Sequence, residues 1–162
     1  MKTNILILCL NNKYAKQISK DIANMFDLFY LDINDILEYN LINKKMIDSA
    51  GKEYFDKELT KAIKSISQYE NTLLCGKFET LSQGENLQIL KSNSVVIYLN
   101  LHKTNLERYI KSKRNEISHT LIAFDEEDQF CKDNADIVVN LSNDENDNLH
   151  MIKTQILNYY GE

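Results

Sequence analysis

The run NILIL (Asn4–Leu8), followed directly by CLNNKYAKQ (residues 9–17), decides the fold of this chain. Five consecutive apolar or buried-type residues are typical of a strand covered on both faces, as in a parallel sheet. An amphipathic helix is predicted next, because apolar residues recur at helical spacing, at Ala15, Ile18, Ile22 and Met25. A strand that leads straight into a helix is the beginning of a βαβ unit.

The same alternation of apolar runs and helical periodicity continues along the chain. Strands are predicted at residues 4–10, 28–31, 72–75, 94–99 and 136–141. Further helices are indicated by apolar stripes that should face the sheet, at Phe55, Leu59, Ala62, Ile63 and Ile66 and at Leu149, Ile152, Ile156 and Tyr159. Three capping boxes, which begin at Ser82, Thr104 and Ser142, mark predicted helix starts. The pattern predicts a three-layer α/β/α fold with a five-stranded parallel sheet.

Length and composition restrict the class of protein. At 162 residues with no linker or repeat, we expect one domain over residues 1–162. The net charge of −5 argues against a nucleic-acid surface, and the one dense basic stretch, residues 111–114, is typical of a solvated helix end. No apolar run is long enough to cross a membrane, so we expect no membrane partner and a cytoplasmic protein.

The cysteines and histidines do not follow a metal-binding pattern. Cys9, Cys75 and Cys131 are odd in number and lack C-x-x-C spacing, which favours reduced thiols over disulfides or a zinc site. The three histidines are scattered. We therefore expect no metal site.

Residues 112–134 interrupt the alternation. The segment is polar and contains the acidic run DEED (residues 125–128). We expect a lid-like, mobile flap over the carboxyl ends of the strands. One hypothesis is that its carboxylates fold onto nearby lysines; the alternative is a flap that stays in solvent, as exposed acidic runs usually do.

The first strand–helix junction is where a nucleotide-binding α/β protein carries its phosphate loop. Such a loop needs glycines so that backbone N–H groups can turn inward, a lysine for the β- and γ-phosphates and a hydroxyl for Mg²⁺. Residues 9–17 do not meet these requirements. Because Lys13 and Tyr14 carry side chains where glycine's freedom is needed, we expect no open anion nest at residues 11–14.

The order of residues along nearly the whole chain resembles that of the shikimate kinases, small P-loop kinases whose five parallel strands are arranged 2-3-1-4-5. The family's F-x-D-x-D-x-x-I-E is similar to YLDINDILE (residues 30–38) and its G-E-x-x-F-R to GKEYFD (residues 51–56). Its V-V-Y-L strand is similar to VIYL (residues 96–99), and its Ala-Asp to Ala135 and Asp136. The resemblance implies a P-loop kinase fold with sheet order 2-3-1-4-5.

The resemblance also shows where the chain departs from the family's phosphate loop. Cys9, Asn12 and Tyr14 stand at the glycines, and Ala15 stands at the lysine. Lys16 and Gln17 replace the hydroxyl residues. Lys16 is one position beyond the catalytic lysine, a rotation of about 100° on a helix, and so does not simply replace it.

The substrate side departs in the same way. The shikimate-binding Asp falls on Asn34, the first Arg on Asp56, and the G-G-G triplet becomes Gly76, Lys77 and Phe78. The Arg-Pro of the lid is approximated by residues 114–115, and a later Arg falls near Glu127. Carboxylates would repel the substrate carboxylate that arginines hold.

Two functions follow as hypotheses. The first is a catalytically degenerate shikimate kinase-like protein with a binding or regulatory role, whose partner is a small anion or a protein and which needs no cofactor. The second is an active ATP-dependent kinase with a rebuilt phosphate site on Lys13 or Lys16, and with Asp32 on Mg²⁺. Asp32 is equally interpreted as the cap of the next helix. Lys13, Lys16 and Lys77 are expected to converge at the carboxyl edge, either as an anion site or as solvated side chains.

Overall fold

The computed structural model describes residues 2–101 and 117–161, without the side chains of residues 117–123. The strands are β1 (Asn4–Leu8), β2 (Phe29–Asp32), β3 (Thr72–Cys75), β4 (Ser94–Asn100) and β5 (Ile137–Asn140). The helices described are α1 (Asn12–Met25), α2 (Ile33–Tyr39), α3 (Lys44–Ala50), α4 (Lys52–Ile66), α5 (Phe78–Leu81), α6 (Asn86–Lys91), α7 (Ile117–Asn134) and α8 (Glu145–Tyr160). Helical and extended segments alternate as the sequence predicts.

The five strands form one sheet in the order β2-β3-β1-β4-β5, and every neighbouring pair is parallel. This confirms the predicted fold and strand order. The first strand ends at Leu8 and not at residue 10, because Asn11 already caps α1 and leaves only Cys9 and Leu10 between strand and cap. The other predicted strands agree within a residue at each end.

Alternate residues of β1 divide the core between two layers. Ile5 and Ile7 pack with α1 and α8 on one face of the sheet, whereas Leu6 and Leu8 pack with α2, α4, α6 and α7 on the other. All four side chains are buried, as a central parallel strand requires. The predicted helix stripes are buried over most of their length, although Met25 and Tyr159 at their ends are exposed.

Two predicted capping boxes are wrong in detail. Helix α8 is capped by Asp144, whose carboxylate accepts from the N–H groups of Asn146 and Asp147, and Ser142 lies two residues before this cap. Helix α6 follows Glu85 with no side-chain cap, so the serine at position 82 does not cap it. The box at Thr104 lies outside the described residues. Short polar side chains compete for these positions, and the sequence alone does not rank them.

The predicted flap is different from the expectation over its described part. Residues 117–134 form α7, and Cys131 on this helix is buried in the core. The ring of Phe130 packs edge-to-face against Phe78, with centroids 5.7 Å apart. Residues 112–116 lie outside the described part of the chain, and the single-domain expectation stays a prediction.

Candidate functional site

Three-residue junctions and helix starts at the carboxyl edge of the sheet bring most of the predicted site residues into one region. Residues 9–11 join β1 to α1, whereas β2 passes directly into α2 and residues 76–77 join β3 to α5. Open parallel sheets bind their ligands at this edge. The polar contacts at these three connections therefore decide what the site can hold.

The β1–α1 junction is closed by its own asparagine. Asn11 caps α1: its side-chain oxygen accepts from the N–H of Tyr14 at 3.1 Å, and its carbonyl accepts from the N–H of Ala15 at 2.9 Å. Outside glycine, the positive φ angles of the described chain occur at Asp27, Leu41 and Asn71. A cradle of inward N–H groups alternates right- and left-handed residues. The junction of this chain has no such alternation, as expected from the sequence.

The side chains at the former glycine positions fill the space around the junction. Cys9 is buried, and burial raises the pKa of its thiol to about 12. The hydroxyl of Tyr14 accepts from Asn148 Nδ2 at 3.3 Å, which links α1 to α8. Asn12 is half-buried, whereas Lys13 and Gln17 are exposed. Ala15, at the lysine position, is buried against the core.

Lys16 is held by two carboxylates. Its Nζ lies 2.8 Å from Asp32 Oδ2 and 3.4 Å from Asp35 Oδ1. The Asp32 side chain is only 2% exposed, so the ammonium is its counter-ion in a largely dry position. The hydrogen bond to Asp32 raises the pKa of Lys16, and the lysine therefore stays charged. The predicted convergence of three lysines is wrong in this respect, because Lys16 points to acidic residues of the β2–α2 connection.

The other oxygen of Asp32 caps the next helix. Oδ1 accepts from the N–H of Asn34 at 2.8 Å and from that of Asp35 at 3.3 Å. Both oxygens thus have protein partners, one backbone and one cationic. The interpretation of Asp32 as a helix cap describes this geometry. Sequence reasoning did not find Lys16 as its second partner.

Asn34 spans from α2 to the β3–α5 connection. Its Oδ1 accepts from the N–H of Lys77 at 2.7 Å, and its Nδ2 donates to Thr80 Oγ1 at 2.8 Å. A Cβ added to Gly76 would lie 3.4 Å from Asn34 Oδ1, which is close packing. The amide of Asn34 is therefore occupied by the protein, while the side chain of Lys77 is exposed.

Asp56, at the position of the first arginine, also has protein partners. Lys52, one turn before it on α4, lies 2.6 Å from Oδ2, and Gln83 Nε2 donates to Oδ1 at 3.1 Å. Neither contact is deeply buried. The carboxylate ties α4 to the connection between α5 and α6, and it presents negative charge at this edge of the site.

The acidic run of α7 does not occupy the lysines. Asp128 accepts from the hydroxyl of the buried Tyr98 at 2.7 Å and pairs with Lys132 on its own helix. Burial and then the neighbouring Glu79 raise the pKa of Glu127. The hypothesis that the run folds onto Lys16 is wrong, since Asp32 and Asp35 take that role.

The described residues contain no group of three or more His, Cys, Asp or Glu side chains placed to hold a metal ion. The three cysteines are free and buried, and burial raises the pKa of the Cys75 and Cys131 thiols to about 11 and about 12. Within the same described part of the chain, no helix has the length and apolar content needed to span a bilayer.

Comparisons with known proteins agree with this architecture. The family model described as shikimate kinase matches residues 16–158, a range that begins after the β1–α1 junction. A shikimate kinase of Dictyoglomus turgidum is 27% identical over 163 residues, covering 92% of this chain and 94% of that protein. The crystal structure of shikimate kinase from Bacteroides thetaiotaomicron superposes with a TM-score of 0.77 at 12% identity, covering 99% of both chains. Shikimate kinase from Acinetobacter baumannii in complex with shikimate gives 0.71 at 17% identity, covering 97% of this chain and 94% of that one. At these identities the two structures establish the fold alone.

Proposed function

This chain belongs to the shikimate kinase family, and we propose that it is a catalytically degenerate member that acts through binding, in a regulatory role. The observation that carries the proposal is the β1–α1 junction. There the side chain of Asn11 takes the N–H of Tyr14, and no residue has the left-handed backbone of a phosphate cradle. A nucleotide triphosphate would have to displace the chain's own contacts.

Electrostatics at the junction support the same proposal. Phosphoryl transfer depends on positioned positive charge that neutralises the transferring group. Here the nearest lysine to the family's catalytic position is already neutralised by Asp32 and Asp35. To contact a phosphate, Lys16 would have to leave a carboxylate that is 2% exposed, and a buried carboxylate without a counter-ion is costly. The residues therefore do not fit ATP and Mg²⁺, and we derive no catalytic step through them.

The substrate side gives independent support. Asp56 brings a negative charge where the family clamps a carboxylate with arginine, and its oxygens are held by Lys52 and Gln83. Asn34, at the position of the shikimate-binding Asp, spends its amide on Lys77 N–H and Thr80. Shikimate would meet repulsion at one position and an occupied amide at the other.

The alternative function is an active shikimate kinase-like phosphotransferase. It is favoured by the relative of Dictyoglomus turgidum, which bears the name shikimate kinase and aligns with nearly the whole chain. In this alternative, Lys13 or Lys16 would bind the phosphates after rearrangement, and Asp32 would exchange Lys16 for a metal ion. The exposed side chains of Lys13 and Lys77 remain available for a small anion under either function.

The test is a phosphoryl-transfer assay with the whole chain. With ATP-Mg²⁺ and shikimate, each at about millimolar concentration as suits typical KM values, we expect no shikimate-dependent ADP. Two variants accompany the wild type: Lys16→Ala, and Lys20→Ala as a matched control on the exposed side of the same helix. Turnover that is lost in Lys16→Ala but kept in Lys20→Ala would establish the alternative. Turnover that survives in both would also overturn the degenerate proposal, because catalysis would then use other groups.

A further inference from the structure

A groove of about 330 Å³ lies between α2 and α4, away from the carboxyl-edge contacts described above. Its apolar walls come from Ile36, Ile42 and Ala62. Tyr69 lines the groove and is 44% exposed, and Tyr39 and Leu41, next to lining residues in sequence, are 88% and 70% exposed. A contiguous set of large exposed apolar side chains is typical of a surface that contacts another protein.

The backbone keeps one of these side chains outward. Leu41 has a φ of +60°, the left-handed region that leucine rarely adopts, and its N–H is tied to the carbonyl of Glu38. Such a conformation costs of order 1 kcal/mol or more and persists where the surroundings impose it. The neighbouring N–H of Ile42 is bonded to the carbonyl of Leu37 at 2.8 Å. The turn therefore holds Leu41 beside the groove.

The outer face of α4 has a charge pattern that is complementary to itself. Tyr54, Glu58, Lys61 and Ser65 fall within about 60° of one another around the helix axis. Glu58 and Lys61 line the groove, and neither has an ion pair within residues 2–101 or the described side chains of α7 to α8. One acidic and one basic group, three residues apart and both unpaired, match a second copy of the same helix running in the opposite direction.

We propose that this face is the interface of a homodimer, in which the α4 helices of two copies pack antiparallel about a two-fold axis between Glu58 and Lys61. Glu58 then lies opposite Lys61 of the second copy, and the reverse pair forms on the other side of the axis, as a two-fold interface requires. The same axis places Tyr54 opposite the small Ser65. Tyr39, Leu41 and Tyr69 of each copy are covered at the flanks.

A second copy fits this surface better than an unrelated partner. An unrelated protein would not require the two charges to be arranged symmetrically about one point of α4, whereas a two-fold dimer does. The inference does not rest on the proposed loss of catalysis. A failure of the phosphoryl-transfer prediction would leave the dimer standing, and the reverse is also true.

Sedimentation equilibrium of the whole chain tests the dimer. We expect the wild type to dimerise in the micromolar range, where interfaces of modest size commonly fall. Glu58→Lys and Lys61→Glu should each weaken dimerisation about tenfold or more, because like charges then face each other across the axis. An equimolar mixture of the two variants should recover dimers, since one carries two positive groups and the other two negative groups at the contact.

Tyr69→Ser supplies a second arm, with Tyr159→Ser as its control. The two tyrosines are 44% and 45% exposed and lie on opposite faces of the sheet, so the first substitution should weaken dimerisation and the second should not. A wild type that remains monomeric at about 100 μM, the weak end of specific association, would overturn the proposal. So would a mixture of the charge variants that is no more dimeric than either alone, which would point to a different partner or contact.

Discussion

The two edges of the sheet use the same kinds of residue for different ends. At the amino edge, Asn4 is fully buried: its Nδ2 donates to the carbonyl of Tyr69 at 2.6 Å and its Oδ1 accepts from the N–H of Thr72 at 3.0 Å. At the carboxyl edge, Asn11 and Asn34 make contacts of similar length to backbone N–H groups.

The difference lies in what those backbone groups would otherwise do. The groups that Asn4 satisfies are buried between strands and have no other partner, so its bonds hold the fold together. The N–H groups that Asn11 and Asn34 take lie at the edge where parallel sheets bind ligands. We infer that a family scaffold can keep its structural asparagine while new polar side chains occupy its site. Each prediction below compares one edge with the other.

The largest effect is expected at the amino edge. Asn4→Ala removes two hydrogen bonds and leaves a buried carbonyl and a buried N–H without partners, which should lower the free energy of unfolding by about 2–3 kcal/mol. Urea denaturation of the purified chain measures this. The control Asn140→Ala, which removes an exposed contact with Asn100, should cost no more than about 0.5 kcal/mol. Equal losses in the two variants would show that Asn4 is not a structural link.

At the carboxyl edge, Lys16→Ala leaves Asp32 without its counter-ion. We expect a loss of about 1–2 kcal/mol, less than for a fully buried pair, because the Lys16 side chain is 44% exposed and water screens it. Lys52→Ala breaks a more exposed pair with Asp56 and should cost at most about 0.5 kcal/mol. Chemical denaturation separates them. If Lys16→Ala were as stable as the wild type, Lys16 would be free to bind a phosphate and the contrast between the edges would fail.

A pH dependence is expected at the amino edge. Burial alone would raise the pKa of Asp136, but the N–H of Val96 at 2.9 Å and the Lys2 ammonium at 3.1 Å together hold it below its usual range. A carboxylate with a lowered pKa stabilises the fold above its unfolded value, near pH 4, and the stabilisation is lost as the pH falls through the folded value. Asp136→Asn should therefore cost about 1–2 kcal/mol at pH 7.

Unfolding measured from pH 7 downward provides the check on Asp136. The gap between wild type and Asp136→Asn should narrow below about pH 4, where the wild-type carboxylate is protonated as well. A gap that stays constant over this range would mean that the carboxylate charge contributes nothing.

The smallest effect concerns the family's own residue. Asn34→Asp restores a carboxylate that can still accept from the N–H of Lys77 and from the hydroxyl of Thr80, so the change in unfolding free energy should stay within about 0.5 kcal/mol. Shikimate binding, followed by calorimetry, should not appear, because Asp56 still opposes the substrate carboxylate. Binding gained by this single change would show that the substrate side is intact apart from one residue.

The sequence predicts the fold well because the fold depends on local patterns. Buried runs such as Asn4–Leu8 and helical stripes are read directly from residue spacing, and the predicted sheet order is confirmed. The segment now seen as α7 was expected to be a flap, since its described acidic residues hide one buried cysteine and one aromatic contact. A polar helix that is anchored by so few apolar residues leaves little periodic signal.

The site was predicted only in part. The side chains at the former glycine positions are visible in the sequence, and so is a cap at Asp32. The pairing of Lys16 with Asp32 is not, because it joins α1 to the end of β2, and in the sheet β3 lies between β1 and β2. The same holds for Asn34, whose partner Lys77 is 43 residues away along the chain. Contacts of this kind depend on side-chain directions across the sheet edge and have no local sequence pattern.

Thermal unfolding with and without ATP-Mg²⁺ tests the central claim most directly. At about millimolar nucleotide, a site with a dissociation constant of about 10 μM would add about 2.7 kcal/mol of stability by mass action. For a chain of this size that corresponds to a rise in Tm of roughly 5–10 °C. The account predicts no change in Tm with ATP-Mg²⁺, with shikimate or with both. A rise of several degrees that is abolished by Lys16→Ala would contradict it, because the closed junction would then bind the nucleotide.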